Sequence, residues 1–173
     1  PDSETVISVI WALALLGEET VVPHIVEMFG AQDPGVRKMA VYALGVLPDD
    51  GSHTTLRAAL DDPVPDVQWN AAVSLARHGD GRGATVLRRM LDRDYVASLV
   101  TPSEALIDPA SEVMISGLRA VAALGSISVG ENLRSPVAEL VAADQSLKVR
   151  QAAMEALDAL DASPGKAAVL GRQ

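Results

Sequence analysis

The chain has 173 residues, a length that fits one domain with a sizeable buried core. About half of its residues are apolar but only 3% are aromatic, so the core must be built from Ala, Leu, Val and Ile. The formal net charge of -9 argues against general binding to nucleic acid or anionic membranes, because phosphate binding depends on clustered Lys and Arg. The absence of cysteine removes disulfides and thiolate metal sites. It leaves the compartment open, and we favour the cytoplasm over the periplasm.

The first predicted helix lies in the apolar run VISVIWALALLG, residues 6 to 17. This run is too short to cross a bilayer, which takes about 20 residues, so we expect a buried helix and no membrane insertion. A helix this apolar needs another repeat or another chain to cover it. The chain opens with Pro1 rather than Met and ends in an apparently unfinished helix, which is typical of a fragment of a longer array.

The stretch DPGVRKMAVYALGVL, residues 33 to 47, predicts a second helix, with Asp33 as its N-cap and Pro34 in its first turn. Its small and branched residues recur along the chain. A column of alanines marks the copies, at intervals of 28, 31, 49 and 33 residues: Ala12, Ala40, Ala71, Ala120 and Ala153. Glycines are expected to end the first helices with positive φ: Gly17, Gly45, Gly79 and Gly125.

A second amphipathic run follows each of these glycines, at residues 20 to 29, 53 to 60, 83 to 91 and 131 to 143. Each copy is therefore a helical hairpin. The predicted fold is an all-α solenoid, a superhelix of about five stacked helical hairpins in one domain, with an inserted short helix between the third and fourth. The repeats are predicted at 3–31, 32–61, 62–93, 108–143 and 144–173, and the insertion at 94–112.

The pattern D-P-x-V-R-x-x-A-x-x-A-L-G-x-L resembles the HEAT-like repeat, particularly the short bacterial type first noted in phycobilisome lyase subunits. The resemblance covers nearly the whole chain. It implies an α-solenoid whose first helices line the convex face and whose second helices line the concave face. Arg37 and Arg150 match an arginine that tends to bridge neighbouring repeats in relatives. Gln68, Val9 and Gly117 occupy that column elsewhere, so we expect no continuous ladder of bridges.

No reactive constellation stands out in the sequence. Relatives of this fold that oxidise a lysine side chain hold two irons through His-Glu steps, whereas His24, His53 and His78 are followed by other residues. Pairs of acidic residues fall in predicted turns, where carboxylates cap helices. We expect no enzymatic activity, no cofactor and no metal site.

A local excess of positive charge interrupts this acidic chain between residues 77 and 93. Arg88 and Arg89 are expected to point outward from a second helix, with Arg57 on the preceding second helix and Glu27 and Glu139 on flanking repeats. Such a surface could take an acidic peptide or a partner's carboxylates. A solvated helix face with internal ion pairs is the alternative.

The insertion carries Tyr95, Leu99 and Leu106, which either contact a partner or fold back over the repeats. Thr101 and Glu104 form a capping box for an extra helix within it. Together these features favour a non-catalytic scaffold that binds a protein partner, or a subunit of a larger assembly, through the concave face and the insertion. An accessory subunit of an enzyme system, lyase-type or regulatory, is the alternative. Nucleic-acid binding, as in HEAT-like DNA repair glycosylases, is not expected at this net charge.

Overall fold

The computed structural model describes residues 2–47, 52–101, 108–125 and 130–162, with the backbone alone at 130–132. These residues form ten α-helices, and none of them lies in a strand. The prediction of an all-α helical-repeat fold is therefore confirmed. The chain divides into two compact units, Pro1–Gly83 and Ala84–Gln173. The boundaries of the domain and of the individual repeats stay predictions.

The first unit contains five α-helices: α1 (Ser3–Leu16), α2 (Val22–Met28), α3 (Pro34–Leu44), α4 (His53–Ala59) and α5 (Pro65–Arg77). Short 3-10 helices precede α2 at Glu19–Val21 and follow α5 at Gly81–Gly83. The first helices α1, α3 and α5 pack side by side in chain order. The shorter α2 packs against α3, and α4 packs against α5, so each second helix supports the first helix that follows it.

Capping residues and glycines fix where these helices begin and end. The Asp33 carboxylate caps α3 by accepting hydrogen bonds from the Gly35 and Val36 amides at 2.8 and 3.1 Å. Gly17 and Gly79 have φ of 67° and 71°, as predicted for helix-ending glycines. Gly45 has φ of -78°, so the expectation of positive φ is wrong there.

Gly45 is needed for close packing instead. A Cβ at this position would lie 2.9 Å from the Cα of Ser74, on α5, and would also overlap the Ser74 side chain. The Ser74 hydroxyl donates a hydrogen bond of 3.1 Å to the Val41 carbonyl of α3. Gly45 at the end of α3 and the short side chain of Ser74 on α5 thus let the two helices approach closely.

The repeated columns of the sequence form the core of the first unit. Ala40, Leu44, Ala71 and Leu75 are each 0% exposed. A fully buried Leu contributes roughly 1.5 to 3 kcal/mol of transfer free energy, so these columns supply much of the stability of the unit.

Arg37 bridges successive repeats in the first unit. Its guanidinium holds the Asp62 carboxylate through Nε at 2.8 Å and Nη2 at 3.1 Å, and Nη1 donates to the carbonyls of Ala31 and Gln32. Burial alone would raise the pKa of Asp62, but the hydrogen bonds from Arg37 and from the Val64 amide lower it. In the next repeat Gln68 donates to the Asp62 carbonyl at 2.6 Å, which matches the bond of Arg37 to the Ala31 carbonyl but not its bridge to the next repeat.

The second unit also contains five α-helices: α6 (Ala84–Met90), α7 (Arg93–Leu99), α8 (Pro109–Leu124), α9 (Gly130–Ala143) and α10 (Leu147–Asp161). The first helices α8 and α10 pack side by side, and α9 packs against α10. The short helix α7 occupies the beginning of the predicted insertion and packs, with α6, against α8. The capping box predicted from Thr101 includes Glu104, which lies outside the described residues.

Candidate partner-binding groove

A surface groove of about 440 Å³ lies between α6 and α9 in the second unit. It brings together three of the side chains that the sequence singled out, Arg88, Arg89 and Glu139. The remaining lining residues are Leu91, Asp92, Pro136 and Leu140. We call this the α6/α9 groove.

The two arginines reach the groove because of the way α6 is anchored. Val86, Leu87 and Met90 are at most 4% exposed, and they fix one face of the helix in the core of the unit. Arg88 and Arg89 lie on the opposite face and are exposed, as the helical spacing predicted. Neither arginine forms an ion pair or hydrogen bond with any described residue.

The rest of the lining is acidic and apolar. The Glu139 carboxylate accepts a hydrogen bond of 3.1 Å from the Ser135 hydroxyl. Asp92 accepts one of 3.0 Å from the Tyr95 amide and thereby caps α7. Leu140 and Pro136 add apolar surface from α9. The groove therefore offers two unpaired cations, two carboxylates, of which Asp92 caps α7, and an apolar wall.

A partly buried ion-pair network holds α7, the helix at the beginning of the insertion, in place. The Arg93 guanidinium donates to both carboxylate oxygens of Asp144 at 2.8 and 2.9 Å, to Asp108 at 2.7 Å and to the Ser111 hydroxyl at 3.1 Å. Hydrogen bonding to Asp144 raises the pKa of Arg93. The pKa of Asp108 is lowered, by the Ser111 hydroxyl above all and also by Arg93.

The position of Gly117 explains why Arg93 has this role. Gly117 stands in the column that Arg37 occupies in α3, and Asp144 stands in the column of Asp62. A Cβ at Gly117 would lie 3.1 Å from the Cβ of Met90, so the missing side chain makes room for the end of α6. Arg93, the first residue of α7, supplies the guanidinium that the fourth repeat lacks.

The side chains predicted for partner contact in the insertion differ in how far they are buried. Val96 is 0% exposed and, with Arg93, fixes α7 to its surroundings. Tyr95 is half-buried, whereas Leu99 is 44% exposed. Leu106 lies outside the described residues. A role for Tyr95 and Leu99 in partner contact stays a prediction.

Arg57 and Glu27 belong to the first unit. The Arg57 guanidinium donates to the Asp80 carboxylate at 2.8 and 3.1 Å, so its charge is matched within that unit. Burial would raise the pKa of Asp80, but the hydrogen bond from Arg57 and its other contacts lower it. Glu27 is exposed on α2. The contribution of these two residues to partner binding stays a prediction.

Sequence reasoning missed most of the groove lining. Leu91 and Asp92 follow α6 directly, and their spacing from Arg88 could have placed them on the same edge. Pro136 and Leu140 sit one turn apart on α9, on the same side as Glu139. The repeat pattern placed Glu139 on a second helix flanking Arg88 and Arg89, but it did not show which other residues of α9 would line the groove.

In the parts of the chain that the structure describes, no three or more His, Asp or Glu side chains are grouped so that they could hold a metal ion. Across the same ranges, no helix has the length and apolarity needed to span a membrane.

The first helices pack side by side within each unit with the second helices beside them, and the groove between α6 and α9 lies on the second unit. This arrangement is that of a helical-repeat protein. A family model described as HEAT repeats matches residues 1–62 and 28–107, which together cover more than half of the chain. The chain belongs to the HEAT repeat family. HEAT repeats are generally protein-interaction scaffolds and are typically not enzymes. A comparison with curated proteins finds no match. The likeness to the lyase-type bacterial repeats stays a prediction.

Proposed function

We propose that the protein is a non-catalytic scaffold that binds an acidic segment of a protein partner in the α6/α9 groove. The observation that carries this proposal is the pair of adjacent, exposed arginines that form no ion pair or hydrogen bond with any described residue. Arg37, Arg57 and Arg93 are each held by an aspartate. Arg88 and Arg89 differ from these structural arginines because their hydrogen-bonding capacity is unused.

The lining suggests which segment would fit. A guanidinium binds a carboxylate through two parallel N–H donors, so two arginines in succession favour a segment with neighbouring Asp or Glu residues. Leu140 and Pro136 provide a wall for one apolar side chain of the ligand. Glu139 would repel a uniformly acidic peptide, so the segment should carry a neutral or basic residue at that end.

The proposal can be tested with a displayed library of random peptides selected on the intact chain. Selected peptides should contain paired Asp or Glu next to an apolar residue, and their affinity should fall by about tenfold or more in Arg88→Ala/Arg89→Ala. Binding should also weaken as salt is raised. Arg119→Ala is the matched control, because Arg119 is exposed on α8 and is not part of the groove lining.

Two results would contradict the proposal. One is a set of selected peptides without acidic residues. The other is an equal loss of affinity in Arg119→Ala and in the double variant, since that would reflect net charge rather than the groove.

A further inference from the structure

The helix α9 contains a proline in its interior, on the face that lines the α6/α9 groove. Pro136 lies beyond the first turn of α9, which begins at Gly130. A proline at such a position destabilises a helix, because it removes one backbone hydrogen bond and its ring collides with the carbonyl one turn earlier. A helix-breaking residue in the wall of a candidate site points to a use of that residue in binding.

The missing hydrogen bond leaves one backbone acceptor open beside the groove. In an α-helix the amide of residue 136 donates to the carbonyl of residue 132, four positions earlier. Proline has no N–H, so the Asn132 carbonyl has no donor at position 136, and the proline ring tilts it outward. Positions 132, 136 and 139 share one face of a helix, and Pro136 and Glu139 line the groove. The open carbonyl therefore lies on the groove side of α9.

The Glu139 carboxylate lies close to this open carbonyl. Its Oε1 accepts a hydrogen bond of 3.1 Å from the Ser135 hydroxyl, so the side chain runs back along α9 toward the turn that contains Pro136. A carboxylate has about four acceptor positions, and the single bond from Ser135 leaves most of them open. This end of the groove thus combines a negative charge with a neutral acceptor, whereas Arg88 and Arg89 can only donate.

We propose that Glu139 and the open carbonyl of residue 132 together bind a lysine side chain of the ligand. This inference rests on the proposed function and specifies the ligand of the same groove. The ligand is a segment in which neighbouring Asp or Glu residues, bound by Arg88 and Arg89, are accompanied by a lysine. An ammonium group has three N–H donors on a flexible stem, so it can bond to a carboxylate and a carbonyl at the same time.

The test uses peptides selected from the random library on the intact chain. Lysine should recur beside the acidic pair in the selected peptides. The tightest binder that contains lysine is then compared with its analogue in which norleucine replaces that lysine, by fluorescence anisotropy. Wild-type protein should bind the lysine peptide about tenfold more tightly than the norleucine peptide, because a hydrogen-bonded charge is lost in the analogue.

Two variants of α9 should reduce this preference for lysine to about threefold or less. In Pro136→Ala the new amide donates to the carbonyl of residue 132 and occupies it. In Glu139→Gln the negative charge is lost while the shape of the side chain is kept. The ratio of the two affinities cancels any effect of the lost proline ring, since both peptides contact the same wall.

Pro23→Ala is the matched control for the proline. Pro23 lies in the first turn of α2, where a proline removes no hydrogen bond of the helix. This variant should keep the preference for lysine and should change the urea midpoint of unfolding little. Pro136→Ala should raise the urea midpoint, because the restored hydrogen bond stabilises α9.

Three results would overturn the inference. They are selected peptides without lysine, a lysine preference that is unchanged in either α9 variant, and a urea midpoint that does not rise in Pro136→Ala. If only the inference fails, Arg88→Ala/Arg89→Ala still weakens binding of both peptides. If only the recognition of acidic residues fails, that double variant binds as Arg119→Ala does, while the lysine preference still depends on Pro136 and Glu139. A chain that selects no peptide refutes both.

Discussion

Replacing Arg93 with alanine should destabilise the second unit more than any exposed substitution. Arg93 is 17% exposed and donates two hydrogen bonds to Asp144, whose side chain is 2% exposed. Without Arg93 the carboxylate keeps its hydrogen bond from the Ser146 amide, at 2.8 Å, but loses the opposing charge. Breaking a buried pair from one side costs about 3 to 5 kcal/mol, and the partial exposure of Arg93 reduces this to about 2 to 4 kcal/mol.

Urea unfolding followed by circular dichroism measures this cost, and hydrogen exchange of residues 93 to 99 shows whether α7 is released. Arg134→Ala is the control, since its pair with Asp161 is about half-exposed on both sides and should contribute under about 1 kcal/mol. In a double-mutant cycle, Arg93→Ala and Asp144→Ala should couple by about 1 kcal/mol or more. A cost of Arg93→Ala below about 0.5 kcal/mol, or additive effects in the cycle, would refute the role given to this network.

Three further predictions concern the first unit. Leu75→Ala should lower the free energy of unfolding by about 2 to 5 kcal/mol and clearly lower the melting temperature, because Leu75 is 0% exposed. An unchanged transition in calorimetry would contradict its place in the core between the packed helices. Gly45→Ala should lower the free energy of unfolding by about 1 to 3 kcal/mol, because the added Cβ overlaps Ser74. Adding Ser74→Gly should recover part of this stability. If chemical unfolding shows no recovery, the overlap is not the cause. The pKa of Asp62 is lowered in the folded state, so its ion pair with Arg37 stabilises the fold fully above the ordinary value of about 3.9 and is lost as the pH falls through the folded pKa. Asp62→Asn should therefore flatten the fall in melting temperature between neutral and acid pH, and an unaltered pH profile would be evidence against the linkage.

The helical-repeat fold could be predicted because it depends on local periodicity. The spacing of Ala40 and Leu44 repeats at Ala71 and Leu75, and those positions are buried in both copies. N-caps such as Asp33 were predictable for the same reason, since a cap bonds to amides two and three residues away. Nothing beyond the neighbouring residues is needed to recognise either feature.

The glycines show which features cannot be predicted from neighbouring residues in the sequence. Gly17 was predicted to adopt positive φ and does, because a helix end is a local event. Gly45 was given the same role, but its φ is -78° and the reason for a glycine lies in α5, about thirty residues further along the chain. The sequence shows that a side chain is absent, but it does not show which neighbour requires the space.

The residues of the α6/α9 groove could be predicted from the sequence only in part. Helical spacing was enough to place Arg88 and Arg89 on the exposed side of α6. The repeat pattern also grouped Glu139 with these arginines, whereas the contribution of Leu140 and Pro136 follows from the packing of α9, which the sequence did not reveal. Arg57 was assigned to the same basic surface because a matching charge at Asp80, on a different loop, was not visible in the sequence.

An ion pair to Asp144 is kept beside the insertion, although the repeat lacks the arginine that forms such a pair at Arg37. Gly117 leaves room for the end of α6, since a Cβ at this position would lie 3.1 Å from the Cβ of Met90. With glycine at this position, the repeat lacks the guanidinium that would bridge to Asp144. Arg93 begins α7, directly after the end of α6 that occupies this space, and it supplies the ion pair with Asp144. Asp92, the residue before it, lines the α6/α9 groove, so the network that fixes the insertion also fixes one edge of the proposed binding site.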